Sequence, residues 1–272
     1  MQLPQDRYVR SGQINTRYWA EGDRGSTVIL LHGVGGYVER WLPTFAALAA
    51  RHRVYAADML GCGRTDKPSS VTYSWDTAVR FVSDFMAALG IERASLVGHS
   101  AGGGAALLMA LRFPSRVEKL VLVSSGGLGK EMPLQFRFLT LPVLGEVVMR
   151  LSPKGSDREL AALAGELLAR HYQMAAQPDA QRALLKTLRW AFGPLGPYER
   201  YYGPILRGLP SIQQPTLIIW GRQDPYFPVA HARAAAKALP NARLHIWDDC
   251  GHLPMLERAQ AFNALLLEFL GD

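Results

Sequence analysis

Two cysteines in 272 residues are too few for a disulfide framework, and Cys62 and Cys250 follow no metal-ligand spacing. Both are expected to be free thiols, and no zinc site is expected. No window approaches the roughly 18 consecutive apolar residues of a membrane span. The opening stretch MQLPQDRYVRSGQINTRYW carries no apolar core of the kind a secretory signal has. The expectation is a cytoplasmic protein without a membrane partner. Blocks of like charge are missing too: the net charge of +7 comes mostly from arginines scattered along the chain, with no basic, aromatic-interleaved stripe. That charge reads as a solvated surface, and no nucleic-acid partner is expected. Repeats and low-complexity segments are also absent.

What is present fits one large α/β domain with an insertion. Hydrophobic residues make up 49% of the chain and charged residues 19%, enough for a sizeable core. RYVRSGQINTRYWAEG, with Gly12 and Asn15 between Tyr/Val-rich flanks, predicts an N-terminal antiparallel hairpin. TVILLHG, RVYAADMLG, ASLVGHS, VEKLVLVSS, PTLIIWGRQD and ARLHIWDDCGH are continuous apolar runs ending in glycine, serine or a polar group. Such runs are buried on both faces, which predicts parallel strands. An amphipathic helix is predicted from about Glu257 to Leu270.

The interval from about Leu128 to Pro210 is too long for a simple crossover. Ser156 and Glu159 form a capping box ahead of a helical face with Leu160, Leu163, Ala164, Leu167, Leu168 and His171. PDAQRALLKTLRWAF predicts a second helix, with Pro178 in its first turn and Leu184, Leu188 and Ala191 on one side. An insertion between two strands must lie over the carboxyl edge of the sheet, where open α/β folds bind ligands. Residues 128–210 are therefore expected to form a helical cap on a core of residues 1–127 and 211–272.

LVGHSAGGGAALL, Leu96 to Leu108, begins as a strand, breaks into glycines around one serine and resumes as a helix. A phosphate-binding loop would need a Lys-Ser/Thr ending and a glycine spacing that this stretch lacks. Gly98-His99-Ser100-Ala101-Gly102 has instead the Gly-x-Ser-x-Gly form of a nucleophile turn, in which glycines leave room for strand and helix to close on each other. A plain strand-to-helix turn is the competing reading. A serine nucleophile needs a base and an orienting acid. His252, after the last apolar run, and Asp224, after the run before it, fall at strand carboxyl ends in the expected chain order. Singly, Asp224 could cap a following helix and His252 could be a surface histidine; together they predict a triad. Asp248 and Asp249 sit at the end of the strand that leads to His252 and are read as loop solvation. Ser124 and Ser125 stand where a rival acid could have been. His99 is expected to point to the far side of the turn, in a structural role. In LLHGVGG, the N–H of Val34 is a candidate oxyanion donor beside that of Ala101.

HGVGG, DMLGCGRTDKP, GHSAGG, WGRQDPYFP and CGHLPMLE together resemble the successive landmarks of the α/β-hydrolase superfamily over nearly the whole chain. The resemblance implies an eight-stranded, mostly parallel sheet flanked by helices, a helical cap inserted after the sixth strand, and no cofactor. Within it, Ser100 argues against the groups that place an aspartate at that position. SSGGLG and ARLHIWDDCGH are similar to carbon–carbon hydrolases of ring meta-cleavage products. That group typically has Asn before the nucleophile, Met after it and Trp after the histidine, where this chain has His99, Ala101 and Leu253.

Those departures favour hydrolysis of a carboxylic ester through an acyl-enzyme, with carbon–carbon hydrolysis of 2-hydroxy-6-oxo-dienoates as the alternative. A slow-turnover ligand receptor on the same scaffold is a further one. Phe136, Phe138, Leu139, Met149, Trp190 and Tyr201 are expected in the cap, with Gly33, Phe136, Leu139, Trp190 and Leu253 against an apolar ester substrate. Arg170, Arg182 and Arg189 could clamp a carboxylate or simply cover helix surfaces, the reading favoured here. A monomer or homodimer is expected.

Overall fold

Gly12, at φ 60°, turns the chain between two antiparallel strands, β1 (Arg7–Ser11) and β2 (Ile14–Glu21). The computed structural model describes residues 3–131, 134–151 and 166–271. After the hairpin come β3 (Thr27–Leu31), α1 (Leu42–Ala49), β4 (Arg53–Ala57), α2 (Trp75–Ala88), β5 (Ala94–His99), α3 (Ala101–Arg112) and β6 (Val117–Val123). Among the described residues, five helices follow: α4 (Leu134–Thr140), α5 (Leu144–Leu151), α6 (Glu166–Ala175), α7 (Pro178–Ala191) and α8 (Glu199–Gly208). The two-residue strands β7 (Phe192–Gly193) and β8 (Gly196–Pro197) pair between the last two. The chain then returns through β9 (Thr216–Gly221), α9 (Val229–Ala238), β10 (Ala242–Trp247), α10 (Pro254–Glu257) and α11 (Ala259–Leu270).

Eight strands form one sheet in the order β1-β2-β4-β3-β5-β6-β9-β10. From β4 to β10 every pair is parallel, and only β2 runs against the rest, because it is antiparallel to both β1 and β4. β3 and β5 are buried at every residue, because helices cover both faces. One layer packs Trp75, Phe81, Phe85 and α3 against one face; the other packs Trp41, Phe45, Phe262 and Leu266 against the opposite face. The strand order reverses beside β3, so the loops after β3 and β5 diverge at a crevice on the carboxyl edge.

Two elements differ from expectation. The C-terminal helix starts early, at Pro254, and breaks at Arg258, whose backbone leaves the helical region (φ −131°, ψ 37°) while its guanidinium donates to the Asp249 carbonyl. The capping box at Ser156 and Glu159, with Leu160, Leu163 and Ala164, lies outside the described residues. Among the described residues, no helix is long and apolar enough to cross a membrane.

A buried ion cluster ties the hairpin to the sheet. The fully buried Arg17 side chain bonds Glu39 at 2.8 and 3.0 Å, Asp6 at 2.6 and 2.8 Å, and Asp58 at 3.2 Å. Burial pushes the Asp58 carboxyl up, against the pull of Arg17 and of the Arg64 and Val38 amides that donate to it. Replacing Arg17 with Met strands two buried carboxylates and is expected to cost about 3–5 kcal/mol at neutral pH in denaturant unfolding. Freed carboxyls have folded-state pKa values above their unfolded ones, so their folded form loses stability as pH rises. The deficit of the variant should therefore shrink as pH falls from neutral toward 5; a deficit independent of pH would contradict the charge argument.

Candidate active site

Ser100 occupies the turn between β5 and α3 at φ 53°, ψ −120°, a left-handed conformation that costs a non-glycine residue about 1–3 kcal/mol. The surrounding glycines make that turn possible. A Cβ on Gly98 would lie 2.4 Å from the Gly102 carbonyl oxygen, and one on Gly102 would lie 2.2 Å from that of Leu31. On Gly103 and Gly104 it would strike Ser125 and Trp75 at 2.4 and 2.5 Å. β3, β5 and α3 thus meet at backbone contact, with Ser100 raised between them.

The Ser100 carbonyl accepts from the amides of Gly103, Gly104 and Gly126 at 3.0, 3.3 and 2.8 Å. That carbonyl and the Ala101 N–H belong to one planar trans peptide, so fixing the oxygen aims the N–H the opposite way. The same device operates at Val34. The Gly33 carbonyl accepts from Gly36 N at 3.0 Å and from His32 Nδ1 at 2.7 Å, while His32 Nε2 accepts from Met59 N at 2.9 Å. Burial pushes His32 down to about 3, so it stays neutral with its proton on Nδ1. Val34 and Ala101 both border the cavity that Ser100 enters.

His252 Nδ1 lies 2.9 Å from Asp224 Oδ2. The other Asp224 oxygen accepts from the amides of Tyr226 and Phe227 at 2.8 and 3.0 Å, so this carboxylate both closes its own loop and holds the imidazole. The rings of Tyr226 and Phe227 stand edge-on to His252 at 4.8 and 5.7 Å. Asp248 and Asp249 point elsewhere: Asp248 pairs with Arg222 at 2.6 Å, and Asp249 pairs with Arg258.

His99 departs from expectation. It does not turn away beneath the sheet; its ring sits 4.7 Å from that of His252 and borders the same cavity, and Nε2 donates to the His252 carbonyl at 2.9 Å. Burial first, then the neighbouring His252 and Arg40 charges, hold it well below the ordinary histidine range. The His252 carbonyl holds the ring there, and Gly33 leaves room beside it, since an added Cβ would sit 3.0 Å from His99 Nδ1.

Leu253 is a second correction. Its side chain is buried on the opposite face of the sheet with Trp41, Met255 and Phe262, and it does not border the cavity. The backbone there is already turning into α10, with the Leu253 amide donating to Glu257. Gly33, Phe136, Leu139 and Trp190 do border it, with Met149 and Tyr201, whereas Phe138 is half exposed outside.

The cavity, of about 400 Å³, lies between the strand-end loops and helices α4–α7. Tyr201 anchors one wall: its hydroxyl accepts from Gly127 N at 3.1 Å, its carbonyl accepts from Trp75 Nε1 at 2.7 Å, and its ring stacks on Trp75 at 5.4 Å. None of Arg170, Arg182 and Arg189 reaches the cavity; Arg189 is held by Glu146 at 2.7 and 2.8 Å and by the Thr140 and Leu141 carbonyls, and Arg182 is exposed. Tyr37, Arg40, Tyr73, Trp75, Leu188 and Phe192 also border it and were not anticipated, because they come from loops and helices whose facing depends on the tertiary fold.

The family model of the α/β hydrolase fold matches residues 26–259, and the chain belongs to that family. Among its relatives is the 2-hydroxymuconate semialdehyde hydrolase of Pseudomonas sp. (strain CF600), 33% identical over 91% of this chain and 88% of that protein. The 2-hydroxy-6-oxo-6-phenylhexa-2,4-dienoate hydrolase of Burkholderia cepacia is 31% identical, over 93% and 90%. A meta-cleavage product hydrolase from Pseudomonas fluorescens IP01 superposes with a TM-score of 0.78 at 30% identity, covering 97% of this chain and 96% of that one.

The backbone contacts at the turn make a direct prediction. In an open helix, Gly102→Ala would gain up to about 1 kcal/mol of helix propensity. Here the added methyl meets the Leu31 carbonyl, so the variant is expected to lose about 1–3 kcal/mol in denaturant unfolding. A variant as stable as the parent would mean that β3 and α3 do not touch.

Proposed function

We propose that this protein is a serine hydrolase that attacks a carbonyl carbon with Ser100, using His252 as general base and Asp224 to hold and charge-stabilise the imidazole. The observation that carries the reading is His252, held by Asp224 at 2.9 Å and sharing one largely apolar cavity with a serine held at positive φ. As Ser100 Oγ adds to the carbonyl, its proton passes to His252, and the new oxyanion meets the N–H groups of Val34 and Ala101. The bond to the leaving group then breaks with its electron pair taking up a proton from His252, and water releases the acyl group by the same steps. Helices α4–α8 act as the cap, and residues 128–210 are assigned to it on a core of 1–127 and 211–272.

The bond we assign is the carbon–carbon bond next to the ketone of a 2-hydroxy-6-oxo-dienoate. Similarity to hydrolases named for such substrates supports this over the ester that the residues flanking Ser100 and His252 had favoured. Leu253 no longer weighs for the ester, since its side chain lies across the sheet from the cavity. Ester hydrolysis is kept as the second reading, because His99 and Ala101 remain in place of the Asn and Met of the carbon–carbon group.

The test compares kcat/KM on 2-hydroxy-6-oxo-6-phenylhexa-2,4-dienoate with that on phenyl and 4-nitrophenyl esters of short acids. The dienoate is expected to be preferred; turnover confined to the esters would reverse the assignment. Ser100→Ala should lose about 10⁴-fold or more in kcat while unfolding as the parent does. Asp224→Asn should cost about 10³- to 10⁴-fold, because the amide leaves the imidazole in the wrong tautomer. Asp248→Asn should cost little, and the opposite order would mean that the acid is misassigned.

A further inference from the structure

The cavity is bordered by a cation that makes no ion pair among the described residues. Arg40, in the short 3₁₀ turn Val38–Trp41, is only 7% exposed, borders the cavity, and has its Nε buried without a hydrogen-bond partner. No carboxylate among the described residues pairs with it. Its neighbour Glu39 is committed to Arg17, with both oxygens bonded. Asp58 is likewise occupied, by Arg17 and by the Val38 and Arg64 amides. Beside Arg40, the Tyr37 ring lies 6.0 Å from the guanidinium, and the Tyr37 hydroxyl is also buried without a partner. Burial pushes the Tyr37 phenol above its ordinary range, which keeps it a proton donor. A guanidinium withdrawn from water and unpaired is costly, far more so than the same group at the surface. Two unsatisfied donors on one turn, both bordering the catalytic cavity, are what a carboxylate would satisfy.

We propose that Arg40 and Tyr37 form a carboxylate subsite that holds the anionic end of the substrate, so that anion recognition resides on the core segment after β3 and not on the cap arginines. Phe136, Leu139, Leu184 and Trp190 then face the apolar remainder. The preferred substrates are molecules that join one carboxylate to an apolar or aryl ketone or ester. The proposal rests on the hydrolase reading only in calling the ligand a substrate; binding at Arg40 does not require that Ser100 react.

Calorimetric titration of the Ser100→Ala protein with 5-benzoylpentanoate and with 5-benzoylpentanamide separates the charge from the shape. The acid is expected to bind at least about tenfold tighter than the amide. In the Ser100→Ala background, Arg40→Met should weaken the acid by about 10- to 100-fold and the amide by less than about threefold. Arg40→Lys should restore part of the preference, and Tyr37→Phe should lower it by a few-fold. No binding of the acid at millimolar concentration, equal affinity for acid and amide, or equal weakening of both by Arg40→Met would overturn the subsite. Thermal unfolding of each variant guards against loss of fold. Turnover that survives Ser100→Ala, with the acid preference still dependent on Arg40, would sink the hydrolase reading and leave the subsite standing.

Discussion

A side chain can stand above the edge of a parallel sheet only if strand and helix turn within one residue, and that constraint governs the structure around Ser100. The positive φ of Ser100 is affordable because three backbone segments approach to atomic contact and fix it from every side. β3 must press on α3 at Gly102, β5 on α3 at Gly98, and the loop after β6 must reach the Ser100 carbonyl through Gly126. At Gly98 and Gly102 the contact leaves no room for a Cβ. The same closeness that strains the turn also aims its amides, since every carbonyl fixed below the sheet edge turns the N–H of its peptide upward.

Two histidines carry this order away from the serine. His32 and His99 are both buried and held neutral, and each bonds to backbone at a hinge of the site. His32 joins the Gly33 carbonyl to the Met59 amide, locking the loop after β3 to the loop after β4. His99 joins the end of β5 to the His252 carbonyl and so links the Ser100 turn to the loop that carries His252. The Arg17 cluster extends the scheme, because Asp58 takes the Val38 and Arg64 amides while Arg17 bridges to the N-terminal hairpin. A charged group on β2 thereby braces the adjoining loops after β3 and β4.

How much of this was legible follows from the range of each signal. The parallel strands, the elbow at Ser100 and the placing of Asp224 and His252 at strand ends could be read from short windows, because apolar runs and glycine spacing are local. The direction of His99 and of Leu253 could not. Both sit next to a legible residue, and both were placed on the wrong side: His99 because the carbonyl that holds its ring belongs to His252, far along the chain, Leu253 because α10 begins one residue later. Arg40 was invisible for a related reason. A sequence shows that Glu39 adjoins it, and only the fold shows that Glu39 is spent on Arg17.

The charges around the cavity follow one rule. Aspartate and glutamate are absent from its wall among the described residues, and Asp224 reaches it only through His252. Arg40, the two neutral histidines and the aimed amides of Val34 and Ala101 therefore face an apolar wall with no opposing negative charge. In such low-dielectric surroundings an anion gains more from each donor than it would in water. A carbonyl addition creates one anion at the reacting centre, and a carboxylate-bearing substrate brings another. On the proposed reading, the cavity would favour both without pairing them to a protein carboxylate, and the separation between them would be set by the stretch from Gly33 to Arg40. Selectivity then depends on distance as well as on charge: an acid group too near or too far from the carbonyl leaves one of the two anions without its donors.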